Sequence, residues 1–384
     1  MDRWRGLATL VHDLVDATTE LIGEGHASIG RNVLRVTDRI PAIAAPVREA
    51  DEVRGAATDA TLGVVRAVNR LVERIAGVAW DRAGGGPAVP DLPLRADAAG
   101  SPAWTADALV GALNGFAGDH LHATGNALDL GMRLRIEHAV PLTARIAVLV
   151  HGLSATEWSW ALEAVGGDPD AHFGTMLARD AGVVPVYARY NTGRPVAVNG
   201  RLLAGALEEL VRTWPVPVEA IAIIGHSMGG LVGRSACAQG GDSTWLPRVR
   251  QVVTLGTPHQ GAPLARLAEV VEQALSAVDL PATRIGAKIL AGRSAGIRDL
   301  ERGLPEEAGV PAIEGIRYTF LGGTLTADPD HVAARVLGDG MVSRASAAGP
   351  GAGFPREVGR IGGVAHYRIQ CDPGVYARLL EAVS

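Results

Sequence analysis

The stretch 220–230 constrains the fold of this chain most strongly. Its first five residues are apolar and predict a short strand buried on both faces, as in a parallel sheet. The segment 225–229 reads Gly-His-Ser-Met-Gly and is followed by small and apolar residues typical of a helix packed closely on a sheet. This order of strand, tight turn and helix predicts that Ser227 lies at the apex of a strained turn with its hydroxyl exposed. The two flanking glycines would allow that turn, because a Cβ at either place would hold strand and helix apart.

The rest of the chain alternates strand-like and helix-like segments. Period-two alternation predicts a half-buried edge strand over 128–136. Further strands are predicted at 146–150, 182–188, 251–255 and 316–321, and helices at 105–117, 200–213 and after Asp372, which can cap a last helix. Strands alternating with helices predict an α/β fold, a mostly parallel sheet covered on both faces.

The first part of the chain has a different character. Residues 1–82 carry apolar residues at helical spacing and predict a helical N-terminal region, and the Gly/Pro-rich residues 83–104 predict a linker. Residues 1–80 hold ten arginines against eleven acidic residues, whereas helices that lie on membranes are usually basic. We therefore favour a helical bundle over peripheral membrane or protein contact through 1–82, which stays the alternative.

Composition excludes several classes of function. The 384 residues carry a net charge of −5, so we expect no nucleic-acid partner. No run of 18 apolar residues exists, and residues 1–6 lack a signal-peptide pattern, so we expect a cytoplasmic protein. Two cysteines cannot form a disulfide framework or a cysteine-rich zinc site. The group Asp119, His120 and His122 is more typical of a helix end than of a metal site, so we expect no metal.

A serine hydroxyl needs a base and an orienting acid to become a nucleophile. In folds with this serine turn, the acid and then the histidine follow the serine along the chain. His366 is the last histidine and comes just before the C-terminal helix, so we predict it as the base. Asp339, between two glycines that let the backbone turn, is the preferred acid, with Asp328 and Asp330 as rivals.

Backbone N–H groups should stabilise the developing oxyanion. Met228 would present its N–H at the start of the helix after the serine, and Leu153 would present a second one from the His-Gly-Leu loop after strand 146–150. Trp158 and Trp160, just after this loop, are candidates to line an acyl pocket or else to pack in the core. His259 is a further candidate to line the substrate site. His151 and His226 are predicted to be structural.

From about residue 105 to 384 the chain resembles bacterial α/β-hydrolase lipases and esterases, and most closely the lipase-like group that includes GPI inositol-deacylase-like proteins. The matching motifs are Val150-His-Gly-Leu153, Ala188-Arg-Tyr-Asn-Thr-Gly193, Asn199-Gly200, Ile224-Gly-His-Ser-Met-Gly-Gly-Leu231, Leu255-Gly-Thr-Pro-His-Gln-Gly261, Gly338-Asp-Gly-Met-Val342 and His366. The resemblance implies an α/β-hydrolase domain over 105–384, Ser227, Asp339 and His366 as a triad, and Leu153 and Met228 as oxyanion donors. Residues 264–303, which carry apolar residues at helical spacing, are a candidate lid.

Three functions are compatible with these features. The first is a serine hydrolase that cleaves small-molecule or lipid carboxylic esters through an acyl-enzyme and needs no cofactor. The second is an acyltransferase or thioesterase that uses the same triad. The third is a non-catalytic scaffold with a vestigial site. The sequence gives neither the oligomeric state nor the acyl chain length.

Overall fold

A computed structural model describes residues 94–98, 102–136, 142–263, 294–303, 310–349 and 354–384. The predicted helical region 1–82 and most of the candidate lid, 264–293, lie outside the described residues. By internal contacts the chain divides into two compact units, residues 1–88 with 125–128, and residues 89–124 with 129–384. In the first unit only the turn residues 125–128 are described, and the elements below all belong to the second.

Seven strands form one sheet in the described part of the chain. They are β1 (Met132–Ile136), β2 (Arg145–Val150), β3 (Val184–Tyr190), β4 (Ala220–His226), β5 (Val249–Leu255), β6 (Arg317–Thr324) and β7 (Glu357–Gly362). Their order is β1-β3-β2-β4-β5-β6-β7. β1 pairs antiparallel with β3, and all other neighbours are parallel.

Helices connect the strands. The described α-helices are α1 (Pro102–Ala123), α2 (Phe173–Ala181), α3 (Val196–Thr213), α4 (Met228–Ala238), α5 (Ala295–Arg302), α6 (Val332–Leu337), α7 (Arg344–Ala347) and α8 (Pro373–Val383). Short 3-10 turns lie at Ala96–Ala98, Glu157–Ala161, Val165–Gly167, Leu246–Arg248 and His366–Arg368. α3 and α4 contact each other and strands on one face of the sheet, while α2 and α8 contact each other and strands on the other.

Successive side chains along each central strand point to opposite faces of the sheet, and both faces are covered by buried apolar residues. Leu149 of β2, Ile224 of β4 and Leu255 of β5 are buried in one cluster with aromatic and aliphatic residues of α2 and α8. Their sequence neighbours, such as Val148 and Ile223, are also fully buried. Burial on both faces explains why the central strands read as uninterrupted apolar runs.

The fold is the α/β-hydrolase fold predicted from the sequence, with the predicted antiparallel edge strand at β1. Asp372 caps α8 as expected, because its Oδ1 accepts the Val375 N–H at 3.0 Å. β7 was not predicted, because all its residues are exposed or half-buried and it carries no apolar run. α1 begins at Pro102, inside the linker predicted at 83–104 and before the helix predicted at 105–117, since proline suits the first turn of a helix.

Because strands β2 to β7 are parallel, the loops that follow them lie together at the carboxyl-terminal edge of the sheet. The carboxyl ends of the strands meet there, and the loops after β2, β4, β5, β6 and β7 carry every residue predicted above to take part in chemistry. No helix in the described part of the chain is long and apolar enough to cross a membrane.

Candidate active site

Ser227 sits on a strained turn between β4 and α4. It adopts φ 51° and ψ −122°, and only Ser154 shares a positive φ among the described non-glycine residues. The turn is held by hydrogen bonds from the Ser227 N–H to Leu255 O at 2.8 Å and from the Gly230 N–H to Ser227 O at 3.1 Å. Such strain persists only where the surroundings impose it, and it is found mainly at functional sites.

Close backbone approaches make that turn fit. A Cβ on Gly225 would overlap the backbone of Gly230 in α4, and a Cβ on Gly229 would overlap Val150 O in β2. Both positions therefore need glycine, as the sequence predicted, because the helix packs directly against the strands.

Asp339 and His366 form a buried pair at the same edge. His366 Nδ1 lies 2.7 Å from Asp339 Oδ2, and the His366 N–H donates to Asp339 O at 2.9 Å. Asp339 Oδ1 accepts the N–H groups of Met341 at 3.0 Å and Val342 at 2.8 Å. Three donors thus offset the cost of burying this carboxylate, which is 2% exposed.

The pairing fixes the chemistry of the imidazole. Because a carboxylate oxygen accepts, Nδ1 of His366 is the donor, and Nε2 of the neutral ring is the basic nitrogen. The rival acids lie elsewhere, since Asp330 is exposed and pairs with Arg344 and Arg360, and Asp328 Oδ1 accepts the Asp330 N–H.

Ser227, Asp339 and His366 all line one pocket of about 470 Å³. No hydrogen bond within 3.5 Å joins the Ser227 hydroxyl to His366 among the described residues. Contacts of this kind commonly tighten only when substrate is bound.

The pocket wall is mainly apolar. Apart from the catalytic candidates and Gly152 and Gly340, its lining consists of Trp104, Ala108, Leu153, Ser154, Ala155, Thr156, Trp158, Ser159, Leu162, His226, Leu325, Met341, Ala365, Tyr367 and Gln370. Among the described residues that line the pocket, Asp339 is the only acidic side chain, and no lysine or arginine accompanies His226 and His366. The cavity therefore suits an uncharged, apolar group.

The loop after β2 borders the serine. A Cβ on Gly152 would come within 3.0 Å of Ser227 Cβ, so the absence of a side chain lets the loop lie against the serine turn. Thr192 Oγ1 accepts the Ser154 N–H at 3.1 Å, and the Tyr190 hydroxyl donates to His151 O at 2.8 Å. Side chains at and just after the end of β3 thus fix this loop, a role that no sequence pattern indicated.

A buried ion cluster anchors the next turn, Glu157–Ala161. Arg189 of β3 donates to Glu157 at 2.8 Å and also pairs with Asp107 of α1. Both carboxylates are almost fully buried. The cluster fixes the positions of two elements that contribute to the pocket wall, since the next residues in sequence, Trp158 after Glu157 and Ala108 after Asp107, line the pocket.

The structure does not bring His259 to the pocket. It is fully buried, Nδ1 lies 3.0 Å from Arg234 and Nε2 lies 3.1 Å from Thr254, and the ring stacks on Phe320. Burial lowers the pKa of His259 well below its usual range. The expectation that His259 lines the site is therefore corrected, because contacts with Arg234, Thr254 and Phe320 hold its ring away from the pocket.

Protein contacts also hold other residues that the sequence singles out. Burial lowers the pKa of His151 to about 3, and its ring stacks on Tyr190 at 4.4 Å. His122 pairs with Asp129 at 2.8 Å, and Asp119 Oδ2 accepts the Ala295 N–H at 3.1 Å. Within the described ranges, no group of three or more histidine, cysteine, aspartate or glutamate side chains lies close enough together to hold a metal ion.

Gly256 follows the last residue of β5, and we predict that only glycine leaves room here for the Asp339 and His366 side chains. Its φ is +56°, and a Cβ there would lie 2.9 Å from Asp339 Oδ2 and 3.1 Å from His366 Nδ1. Gly256→Ala should lose about 1–2 kcal/mol of unfolding free energy from the backbone and about 1–3 kcal/mol more from overpacking. Gly241→Ala is the matched control, since Gly241 has φ +48° and no atom within 4 Å of the added Cβ. Urea unfolding measures both, and equal losses would contradict this contact.

The comparisons with known proteins concern the segment around the serine and the fold. Residues 192–278 match the model of the PGAP1-like alpha/beta domain, a segment that includes Ser227 but not Asp339 or His366. No curated protein sequence matches this chain.

Among solved structures, the mature form of the Bacillus licheniformis lipase BlEst2 aligns at 22% identity and TM-score 0.45, over 65% of this chain and 97% of that one. A lipase-esterase related protein from Clostridium acetobutylicum aligns at 11% identity and TM-score 0.39, over 66% and 99%. An esterase from Pyrobaculum calidifontis aligns at 16% identity and TM-score 0.39, over 66% and 80%. The resemblance predicted from the sequence is confirmed: within an α/β-hydrolase fold, this chain carries a segment that matches the PGAP1-like alpha/beta domain.

Proposed function

We propose that this protein is a serine hydrolase that cleaves carboxylic esters with uncharged, apolar acyl groups. The observation that carries the proposal is the buried Asp339–His366 hydrogen bond of 2.7 Å on the pocket that Ser227 also lines. A buried acid, an oriented imidazole and a serine on a strained turn are the parts that nucleophilic acyl transfer needs.

The proposed reaction follows from these positions. The Ser227 Oγ attacks the ester carbonyl carbon while His366 Nε2 takes its proton, and Asp339 holds the ring in the required tautomer. The oxyanion accepts hydrogen bonds from the Leu153 and Met228 N–H groups. Met228 is the first residue of α4, so its N–H has no intrahelical partner. The carbon–alcohol oxygen bond then breaks, His366 protonates the leaving alcohol, and water cleaves the acyl-enzyme by the same route.

Substitutions of the triad test the proposal. Ser227→Ala should abolish hydrolysis of p-nitrophenyl esters and labelling by a fluorophosphonate probe. Asp339→Asn should lower kcat by about 10³–10⁴-fold, because the ring loses the tautomer that exposes a basic Nε2. Asp330→Asn is the control, since Asp330 is an exposed acid that pairs only with arginines in the described region. Unchanged turnover in Ser227→Ala would refute the mechanism.

Trp158 supplies the proposed wall for the acyl chain. It is 4% exposed and lines the pocket, whereas Trp160, two residues on, is 1% exposed and is not among the lining residues. Trp158→Leu should enlarge the cavity and shift the preferred p-nitrophenyl ester towards longer acyl chains.

Trp160→Leu controls for destabilisation, because both changes remove a buried indole and cost about 1–4 kcal/mol of stability. The preference across acyl chains of two to twelve or so carbons is measured for both variants. The same shift in both, or in neither, would contradict the assignment of Trp158 to the acyl wall.

A further inference from the structure

His226 is a buried polar side chain at the site that the mechanism above does not use. It is the last residue of β4 and directly precedes Ser227, and it is 7% exposed. Its Nε2 lies 3.2 Å from the backbone O of His366, and the two imidazole rings are 4.9 Å apart at 44°. His226 also lines the pocket. One side chain thus contacts the turn that carries the proposed base from a position next to the proposed nucleophile.

The hydrogen bond fixes the protonation of His226. A carbonyl oxygen only accepts, so Nε2 of His226 must carry the proton and donate it. Burial, with the nearby His366 and His151, lowers the pKa of His226 well below its usual range, so the ring is neutral and its Nδ1 carries no proton. The titratable groups that face it are therefore His366, His151 and, beyond His366, Asp339.

His366 is held at three points by named contacts. Asp339 accepts from its backbone N–H at 2.9 Å and from its Nδ1 at 2.7 Å. The third contact is the donation from His226 to its backbone O. The first two fix His366 relative to the loop after β6, but only the third fixes it relative to the serine turn after β4.

We infer that His226 is a positioning residue that sets the distance between the His366 imidazole and the Ser227 hydroxyl. It acts through the His366 main chain and touches no reacting atom, and this role rests on the proposed function. A neutral donor is required, because His366 becomes a cation when it takes the serine proton and a charged neighbour would oppose that transfer. Misplacement of a catalytic group by about 1 Å can cost about 100-fold in rate.

Three substitutions of His226 separate the effect of its hydrogen bond to His366 O from the effect of its ring shape. His226→Gln places an amide N–H near the position of Nε2, His226→Asn is too short to reach the His366 carbonyl, and His226→Phe keeps a ring without a donor. The probe is an alkyl fluorophosphonate, whose reaction with Ser227 is followed over a range of concentrations by mass spectrometry. This gives the binding constant Ki and the maximal rate of labelling kinact separately.

We expect His226→Phe and His226→Asn to lower kinact by about 10–100-fold with Ki nearly unchanged, and His226→Gln to stay within about threefold of the wild type. Urea unfolding of each variant identifies the folded fraction, and a role in stability alone would lower the midpoint and leave kinact of the folded protein unchanged. That result would overturn the inference, and so would equal losses in the Gln and Phe variants. Failure of the wild type to react would overturn the proposed function and the inference together, whereas reaction of the wild type with no loss in His226→Phe would overturn the inference alone.

Discussion

The buried hydrogen bond between Asp339 and His366 organises the functional edge of the sheet. Two backbone N–H groups and one imidazole N–H surround a carboxylate that is almost inaccessible to water. A carboxylate in such a place is stable only when its oxygens are satisfied, and this requirement fixes the ring orientation of His366. The pair joins the loops after β6 and β7 through two residues that are 27 positions apart in sequence. Asp339 therefore determines which nitrogen of the His366 imidazole is free to accept a proton.

Close packing of backbone around this pair explains the unusual glycine content of the motifs. Gly256 leaves room for the carboxylate and the imidazole, and Gly152 leaves room for the serine turn. Gly200 allows α3 to approach Ser235 of α4, where a Cβ would overlap the serine side chain. At each of these glycines the backbone of one element lies so close to a residue of another that a Cβ would not fit. The arrangement of the site thus requires glycine at the positions of close packing as well as its polar residues.

Much of this arrangement could be predicted from the sequence. The apolar runs predicted the central strands because both faces of the sheet are covered. The Gly-His-Ser-Met-Gly segment, between an apolar run and a helix-like run, predicted the strained turn at Ser227. The flanking glycines singled out Asp339 among three nearby acids, and it is the one of the three that the structure pairs with His366. These strands and this turn could be predicted because each depends on a few residues that are adjacent in sequence.

Features that depend on distant partners could not be predicted in this way. β7 carries no apolar signal, since it lies at the edge of the sheet with mostly exposed or half-buried residues. His259 follows a strand end, as a site residue would, but its ring is held in the core by Arg234, Thr254 and Phe320, which no local pattern indicates. The motif Ala188-Arg-Tyr-Asn-Thr-Gly193 was conspicuous without an evident role. Its residues bond to the loop after β2, to Glu157 and to α1, contacts that only the folded chain brings together.

The central claim is that Ser227 becomes a nucleophile and carries the acyl group. It is tested most directly with an N-alkyl p-nitrophenyl carbamate, whose carbamoyl-enzyme hydrolyses slowly enough to be isolated. The proposed mechanism predicts release of one p-nitrophenolate per folded chain, in step with the addition of one carbamoyl group to Ser227 as located by peptide mass spectrometry. Release without a carbamoyl group on Ser227, or with the group on another residue, would contradict it.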